Sequence, residues 1–282
     1  MIPASFDYVR ASSPDEALAA LAEHGDEAKL LAGGHSLLPL MKLRLASPAV
    51  LVDVGRLGDL AGVRQEGDTV VVGALTTHHD VHRSDVLRAQ VPLLAHVAGQ
   101  VGDPQVRHRG TIGGSLAHAD PASDLPAAVL ALGGTLTATS AARGSRSIAA
   151  ADFFTGFLES ALEPDELLTE IRVPAVPDAG WSFQKFNRRA LDWAIVGVAA
   201  VHRNGASGVG LVNMGPTPLL AAGVAAAWAG GASPAEAARR VAEGTEPGAD
   251  MNATVEFRTH LAEVLTRRAL EEAEARPQAG PG

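Results

Sequence analysis

Two short stretches pair glycines with hydroxyl residues: Ala32-Gly33-Gly34-His35-Ser36, after the apolar Leu30-Leu31, and Thr111-Ile112-Gly113-Gly114-Ser115, after Arg107-His108-Arg109. A Gly-Gly pair lets the backbone take positive φ and removes the Cβ, so successive N–H groups can turn into one concavity and meet an anion. Either stretch alone reads as an ordinary turn as readily as a nucleotide loop. Facing each other, the two would suit a diphosphate. The second is followed by Asp120-Pro121-Ala122-Ser123-Asp124-Leu125-Pro126, which sets two carboxylates four positions apart in a proline-framed loop. Carboxylates are poor phosphate ligands but accept hydrogen bonds from sugar hydroxyls. The set reads as a dinucleotide held at its middle by main-chain amides and at its sugars by side-chain acceptors. Neither loop has the glycine triplet after a strand that marks Rossmann nucleotide binding.

Other residues invite chemistry and are read more plainly. Thr76-Thr77-His78-His79-Asp80-Val81-His82 could be drawn as a metal site, but no second ligand group accompanies it, and it reads as a solvated helix start. His35 follows a glycine pair as covalent flavin histidines do in some oxidases; a loop hydrogen bond is the simpler role. Arg107 and Arg109 read equally as phosphate-steering or partner-facing groups and as a solvated loop stem, and Arg188-Arg189 has the same ambiguity. By residue type alone, Phe186 and Trp193 read as core aromatics. No side chain is singled out as a catalytic acid, base or nucleophile, and no metal ligand set is assigned.

Composition narrows the class. The 282 residues contain no cysteine, which excludes disulfides, zinc–thiolate sites and cysteine-bound iron–sulfur clusters from this chain. Redox work here would need an organic cofactor. A net charge of −9 with scattered basic residues argues against a nucleic-acid surface. No apolar run approaches membrane-spanning length, and the start lacks a basic-then-apolar leader, so a cytoplasmic location is expected.

The elements that must position the loops follow from spacing. Ser13-Pro14-Asp15-Glu16 offers a cap, a first-turn proline and a glutamate placed to reach back, so a helix should run to about His24. Lys29 to Ala32 reads as a strand, Leu37, Leu38, Met41 and Leu45 keep helical spacing, and Leu51 to Val54 is a second strand. The first glycine loop thus joins a strand to a helix. A hairpin is expected over Val63 to Ala74, a buried helix over Val91 to Val101, a helix over Leu125 to Leu132, and strands over Thr135 to Thr139 and Leu168 to Val173. Proline, glycine and charge from Pro174 to Gly180 suggest a boundary. Beyond it come three antiparallel strands (Ser182 to Phe186, Ile195 to Val201, Val209 to Met214), helices from near Pro218 and from Ser233, and a last helix with Phe257, Leu261, Val264 and Leu265 on one face. The tail from Arg276 reads as disordered.

With these pieces in view the sequence resembles the FAD-binding medium subunits of the molybdenum hydroxylases, the xanthine dehydrogenase and carbon monoxide dehydrogenase group, over nearly its whole length. The motifs that carry this are Ala32-Gly33-Gly34-His35-Ser36 with Met41-Lys42, Asp103-Pro104-Gln105-Val106-Arg107 leading into Thr111-Ile112-Gly113-Gly114, the Asp120 to Pro126 loop, and Lys185-Phe186 before Arg188-Arg189 and Asp192-Trp193. The first loop looks closest to the carbon monoxide dehydrogenase branch. The resemblance implies an α+β chain: a PCMH-type FAD-binding domain over residues 1–177, made of two α/β subdomains (about 1–54 and 55–177), then a C-terminal domain over 178–282 with a three-stranded antiparallel sheet and helices. It implies FAD held noncovalently between the loops by Leu30, Ala32, Gly33, Gly34, His35, Ser36 and Leu37 on one side and Thr111, Gly113, Gly114 and Ser115 on the other. Asp124 would lie near sugar hydroxyls, Lys185 near the isoalloxazine or the phosphates, Leu168 and Val101 would make apolar contacts, and Trp193 would approach the flavin ring. Relatives usually have Asn where this chain has Ser115, which removes a two-ended amide contact.

Such subunits work with a large molybdopterin subunit and a small iron–sulfur subunit, as a dimer of heterotrimers, and deliver electrons to an external acceptor. The implied function is therefore electron transfer through FAD, with carbon monoxide as the first substrate guess and an aldehyde or N-heterocycle as the second. Two alternatives stand beside it: a free-standing PCMH-type flavin oxidase or reductase, which would turn over a substrate alone, and an adenine-nucleotide-binding regulatory module, which would prefer adenine nucleotides to FAD.

Overall fold

A computed structural model describes residues 2–203 and 206–276. Of the tail expected to be disordered from Arg276, Arg276 itself is placed, by Glu272 at 2.6 Å and by the Trp181 ring beneath its guanidinium, and residues 277–282 lie outside the described residues. Among the described residues the fold consists of three larger sheets, one two-stranded hairpin and their helices. The first is a small parallel sheet of β1 (Asp7–Arg10), β2 (Ala28–Leu31) and β3 (Val50–Asp53), in the order β1-β3-β2. Helix α1 (Pro14–His24) starts where the sequence says it should: the Ser13 hydroxyl accepts from Glu16 N at 3.2 Å, and the Glu16 carboxylate takes Ser12 N at 2.7 Å. It buries Ala17, Leu18 and Leu21 against Val50 and Val52. Helix α2 (Leu37–Lys42) connects β2 to β3 and is only six residues long. Strand β1 is an addition to the sequence reading; its mostly exposed Asp-Tyr-Val-Arg run has no apolar alternation to betray an edge strand.

The second sheet is antiparallel, in the order β4-β5-β10-β6-β7: β4 (Val63–Glu66), β5 (Thr69–Gly73), β6 (Thr135–Ser140), β7 (Gly144–Ala149) and β10 (Glu166–Pro174). Between β7 and β10 in the chain, β8 (Phe154–Gly156) and β9 (Glu159–Ser160) form a separate two-stranded hairpin. Helices α3 (His78–Arg83), α4 (Pro92–Gln100), α5 (Ile112–His118) and α6 (Asp124–Ala131) pack on it through Leu93, Leu94, Val97, Ile112, Leu116, Leu125 and Val129.

The third sheet has four strands where three were expected: β11 (Gly180–Phe186), β12 (Val196–Arg203), β13 (Ala206–Val212) and the two-residue β14 (Leu219–Leu220). Leu219 and Leu220 pair with Leu211 and Gly210, so the helix expected from near Pro218 begins later, as α7 (Ala222–Ala229). Strand β12 divides two cores. Ala199 and Val201 face the helices on the second sheet, and Val196, Val198 and Ala200 face α7 and the long α8 (Val255–Ala275). On α8 the buried stripe is Arg258, Leu261, Ala262, Leu265, Thr266, Ala269 and Leu270. Phe257 is exposed and Val264 half-buried, so the expected face is rotated: alanines at 262, 269 and 273 allow the helix axis to approach the sheet closely.

Glycine makes the join between sheets. A Cβ on Gly210 would lie 2.0 Å from the Ala127 carbonyl oxygen, and one on Gly208 would lie 1.8 Å from that of Ala131. Thus β13 lies directly on the α6 backbone, and this brings the end of β11 over the first turn of α6. Gly210→Ala must push two backbones apart, with an expected loss of about 1–3 kcal/mol in urea unfolding; an unchanged midpoint would contradict this packing.

Candidate cofactor site

The three bodies meet around one cleft of about 840 Å³. The first glycine loop leaves β2 and lies on the approach to the second. A Cβ at Gly33 would stand 2.1 Å from the Arg109 carbonyl oxygen and 2.8 Å from Gly110 Cα, so this backbone-on-backbone seat admits only glycine. Gly34 has φ +77°, which an L side chain rarely adopts. Among the described residues, the N–H groups of Gly33, Gly34, His35 and Ser36 have no acceptor within the protein. They are the unspent donors that an anion needs.

The second pair differs from the sequence reading of a loop with amides turned outward. Ile112 N donates to Thr76 O at 3.0 Å, Gly113 N to Ala74 O at 2.8 Å and Ser115 N to Thr111 O at 3.0 Å, while Gly114 N caps onto Thr111 Oγ1 at 3.1 Å. The cause is a bridge between Thr77 and Thr111 that draws the chain against the end of β5 and starts α5 immediately. Gly113 is needed for packing, since a Cβ there would fall 2.6 Å from Ala74 O. The free amide cradle is therefore the first loop, and the second is the surface against which it closes.

The two carboxylates part company. Asp120 Oδ1 accepts from Ala122 N at 2.8 Å and shapes its own turn. Asp124 opens α6, is 6% exposed, and accepts from Lys185 Nζ at 2.6 Å; the same Nζ reaches Gln100 O at 3.1 Å. Burial pushes the Asp124 carboxyl up to about 6, against the pull of the Lys185 charge. Its Oδ1 is buried with no partner. Lys185, expected near the isoalloxazine or the phosphates, is committed to Asp124 and to a carbonyl.

All the positions implied by the resemblance line this one cleft: Leu30, Ala32, Gly33, Gly34, His35, Ser36, Leu37, Val101, Thr111, Gly113, Gly114, Ser115, Asp124, Leu168, Lys185 and Trp193. Trp193 stands at the mouth, 60% exposed, and Phe186 is 39% exposed, so neither is a core aromatic. His35 is exposed and makes no side-chain hydrogen bond among the described residues, so the expected loop bond is not formed. Arg107 donates to Val101 O and Gly102 O, both at 3.0 Å, and so braces the turn after α4. Arg189 pairs with Asp192 at 2.9 Å.

Sequence reasoning missed His78. The helix start is real, with Thr77 as its cap, but His78 is 4% exposed and lines the cleft, so the stretch is not simply solvated. The Gly110 that receives it, also in the cleft wall, was the available signal: a Cβ there would lie 2.8 Å from His78 Nε2. Among the described residues no group of three or more His, Asp or Glu is placed to hold a metal.

Residues 4–176 match the family described as FAD binding domain in molybdopterin dehydrogenase, and residues 181–273 match the CO dehydrogenase flavoprotein C-terminal domain. The carbon monoxide dehydrogenase medium chain of Hydrogenophaga pseudoflava is 41% identical over 98% of this chain and 99% of its own. This chain belongs to the medium-subunit flavoproteins of the molybdenum hydroxylases. Caffeine dehydrogenase subunit beta of Pseudomonas sp. strain CBB1, in the same family, is 37% identical over 97% of this chain and 96% of its own. A solved structure of the Hydrogenophaga pseudoflava carbon monoxide dehydrogenase that lacks the Mo-pyranopterin moiety superposes with a TM-score of 0.93 at 42% identity, covering 98% of this chain and all of that one. The family assignment agrees with the donor set: free amides for a diphosphate, an orphaned buried carboxylate oxygen for a hydroxyl, and apolar walls for a flat ring.

The Asp124–Lys185 pair gives a signed expectation. A carboxyl raised by burial stabilises the fold only while it is protonated, so that contribution is full below the ordinary range near 4 and is lost as pH rises through about 6. Lys185→Met removes the opposing charge and leaves the buried carboxylate unpaired, which should cost about 3–5 kcal/mol at pH 8 and much less at pH 5. The double variant with Asp124→Asn should erase this pH dependence in urea unfolding. Equal cost of the single variant at both pH values would contradict the pairing.

Proposed function

We propose that this chain carries FAD noncovalently in the cleft and serves as the electron-transfer subunit of a heterotrimeric molybdenum hydroxylase. It would stand between the iron–sulfur clusters of a small subunit and an external acceptor. The observation that carries the reading is the pairing of four unspent amides at Gly33–Ser36 with the orphaned Asp124 Oδ1 across one cleft. When bound, the flavin supplies exchange between single and paired electrons.

The chain's own residues bind and orient. Gly33 to Ser36 donate to the diphosphate, and the Ser115 hydroxyl adds a side-chain donor on the facing wall. Asp124 Oδ1 accepts from a ribose or ribitol hydroxyl while Lys185 fixes the carboxylate. Leu168 and Val101 provide apolar contacts for the ring, and Trp193 shields it at the mouth. Residues 1–177 form the FAD-binding unit, and 178–282 form a C-terminal unit that delivers Lys185 and Trp193. No cysteine is present, so clusters held by thiolates belong to a partner.

Substrate oxidation falls to the large molybdopterin subunit. Carbon monoxide is the first substrate to test, given the medium chain that is 41% identical, and an aldehyde or N-heterocycle is the second. The assembly is a dimer of heterotrimers in the cytoplasm; no helix among the described residues is long and apolar enough to cross a membrane.

Purification from the native host should yield two further chains, molybdenum and releasable FAD in one particle. A chain that purifies alone, colourless and indifferent to added FAD would overturn the reading. Gly33→Ala should abolish FAD retention in the full chain, because the Cβ must displace the Arg109 carbonyl it would meet at 2.1 Å. Full flavin content in this variant, measured by absorbance after gel filtration, would contradict the closed-loop geometry.

A further inference from the structure

His78 is a buried polar group that the flavin reading leaves without a task. It is 4% exposed, sits at the first position of α3, and lines the cleft at the seam where the two loops meet. Its Cδ2–Nε2 edge lies on Gly110, whose Cα would stand 2.8 Å from a Cβ on Gly33. Its Nδ1 is sealed from solvent with no hydrogen-bond partner. Nδ1 is thereby closed to any ligand, and Nε2, which has no hydrogen bond among the described residues, is the ring nitrogen that a ligand in the cleft can complete.

Burial and neighbouring charge decide which ring nitrogen carries the hydrogen. Burial lowers the His78 pKa to about 4, and His35 and Arg107 act in the same direction, so the ring holds one proton at neutral pH. On sealed Nδ1 that proton would be a stranded donor. On Nε2 it lies against Gly110, in the wall of the same cleft that the first-loop amides line.

We propose that His78 Nε2–H donates to the diphosphate of the bound dinucleotide and acts with the first-loop amides as a side-chain ligand. This rests on the FAD reading above. A lysine or arginine there would have to be desolvated as a cation before the ligand arrived; an uncharged imidazole holds a donor in place without that cost. Burial beneath Gly110 also fixes the ring's direction before binding.

The test is equilibrium binding to the full apo chain by fluorescence titration, using FAD, ADP and adenosine as probes. Wild type must first bind FAD; if it does not, the parent reading fails and His78 is not at issue. Given binding, His78→Leu should weaken both FAD and ADP by about 10- to 100-fold, the size of a lost hydrogen bond to a charged group. Adenosine, which has no phosphate, should be unaffected. His78→Gln, whose amide nitrogen can take the place of Nε2, should recover most of the affinity, with both variants matching wild type in far-UV circular dichroism. In wild type labelled at the imidazole nitrogens, NMR should show the Nε2–H tautomer, with that nitrogen shifting on FAD addition. Equal loss for all three probes, no loss in His78→Leu, or an Nδ1–H tautomer that ignores FAD would each overturn the proposal.

Discussion

The cleft exists because Gly33 has no side chain. Its Cα surface rests on the Arg109 carbonyl and Gly110, and this seat joins the small parallel sheet to the larger antiparallel one at the place where both chains turn. Any Cβ there would meet backbone rather than a movable side chain. The contact sets which amides are free: the first loop, lying on its neighbour, has no strand or helix partner for Gly33 to Ser36, while the second spends its amides on Ala74, Thr76 and Thr111. A ligand site thus arises from asymmetry between two loops that look alike in sequence.

The second constraint is electrostatic. Asp124 and Lys185 come from different sheets' territories and meet with almost no solvent between them. Glycines at 208 and 210 set α6 close enough to β13 for β11 to present Lys185 to the first turn of α6. One carboxylate oxygen is paired and the other is left as an acceptor in the cleft wall. Removing the ammonium would leave a buried charge, so the pair joins cofactor geometry to the integrity of the fold.

Much of this was legible in sequence. Periodicity and caps located α1, the β4–β5 hairpin, the buried α4 and the strands of the third sheet, because each carries a local signal of burial or of termination. The motif pairs located the cleft. What escaped has physical causes. Strand β1 is an edge strand with exposed residues, and β14 is two residues whose partner, β13, is identified by pairing rather than by propensity. The rotated face of α8 follows from Arg258, a charged residue buried where its Nη2 reaches Asp250 at 2.7 Å and its Nη1 the Ile195 carbonyl. A charge in a core cannot be read from hydrophobic spacing. His78 was hidden for a similar reason: its burial depends on Gly110, more than thirty positions away. The second glycine pair was misread because glycine permits both an open amide cradle and a tight backbone contact, and only the Thr77–Thr111 bridge decides between them.

Amide hydrogen exchange of the full chain, with and without FAD, bears most directly on the loop asymmetry. The expected result is rapid exchange at Gly33, Gly34, His35 and Ser36 in the apo chain and strong protection once FAD is added, with Ile112 to Ser115 protected in both states. Exchange at residues 33–36 that is indifferent to bound FAD, or ligand-induced protection confined to residues 112–115, would contradict it.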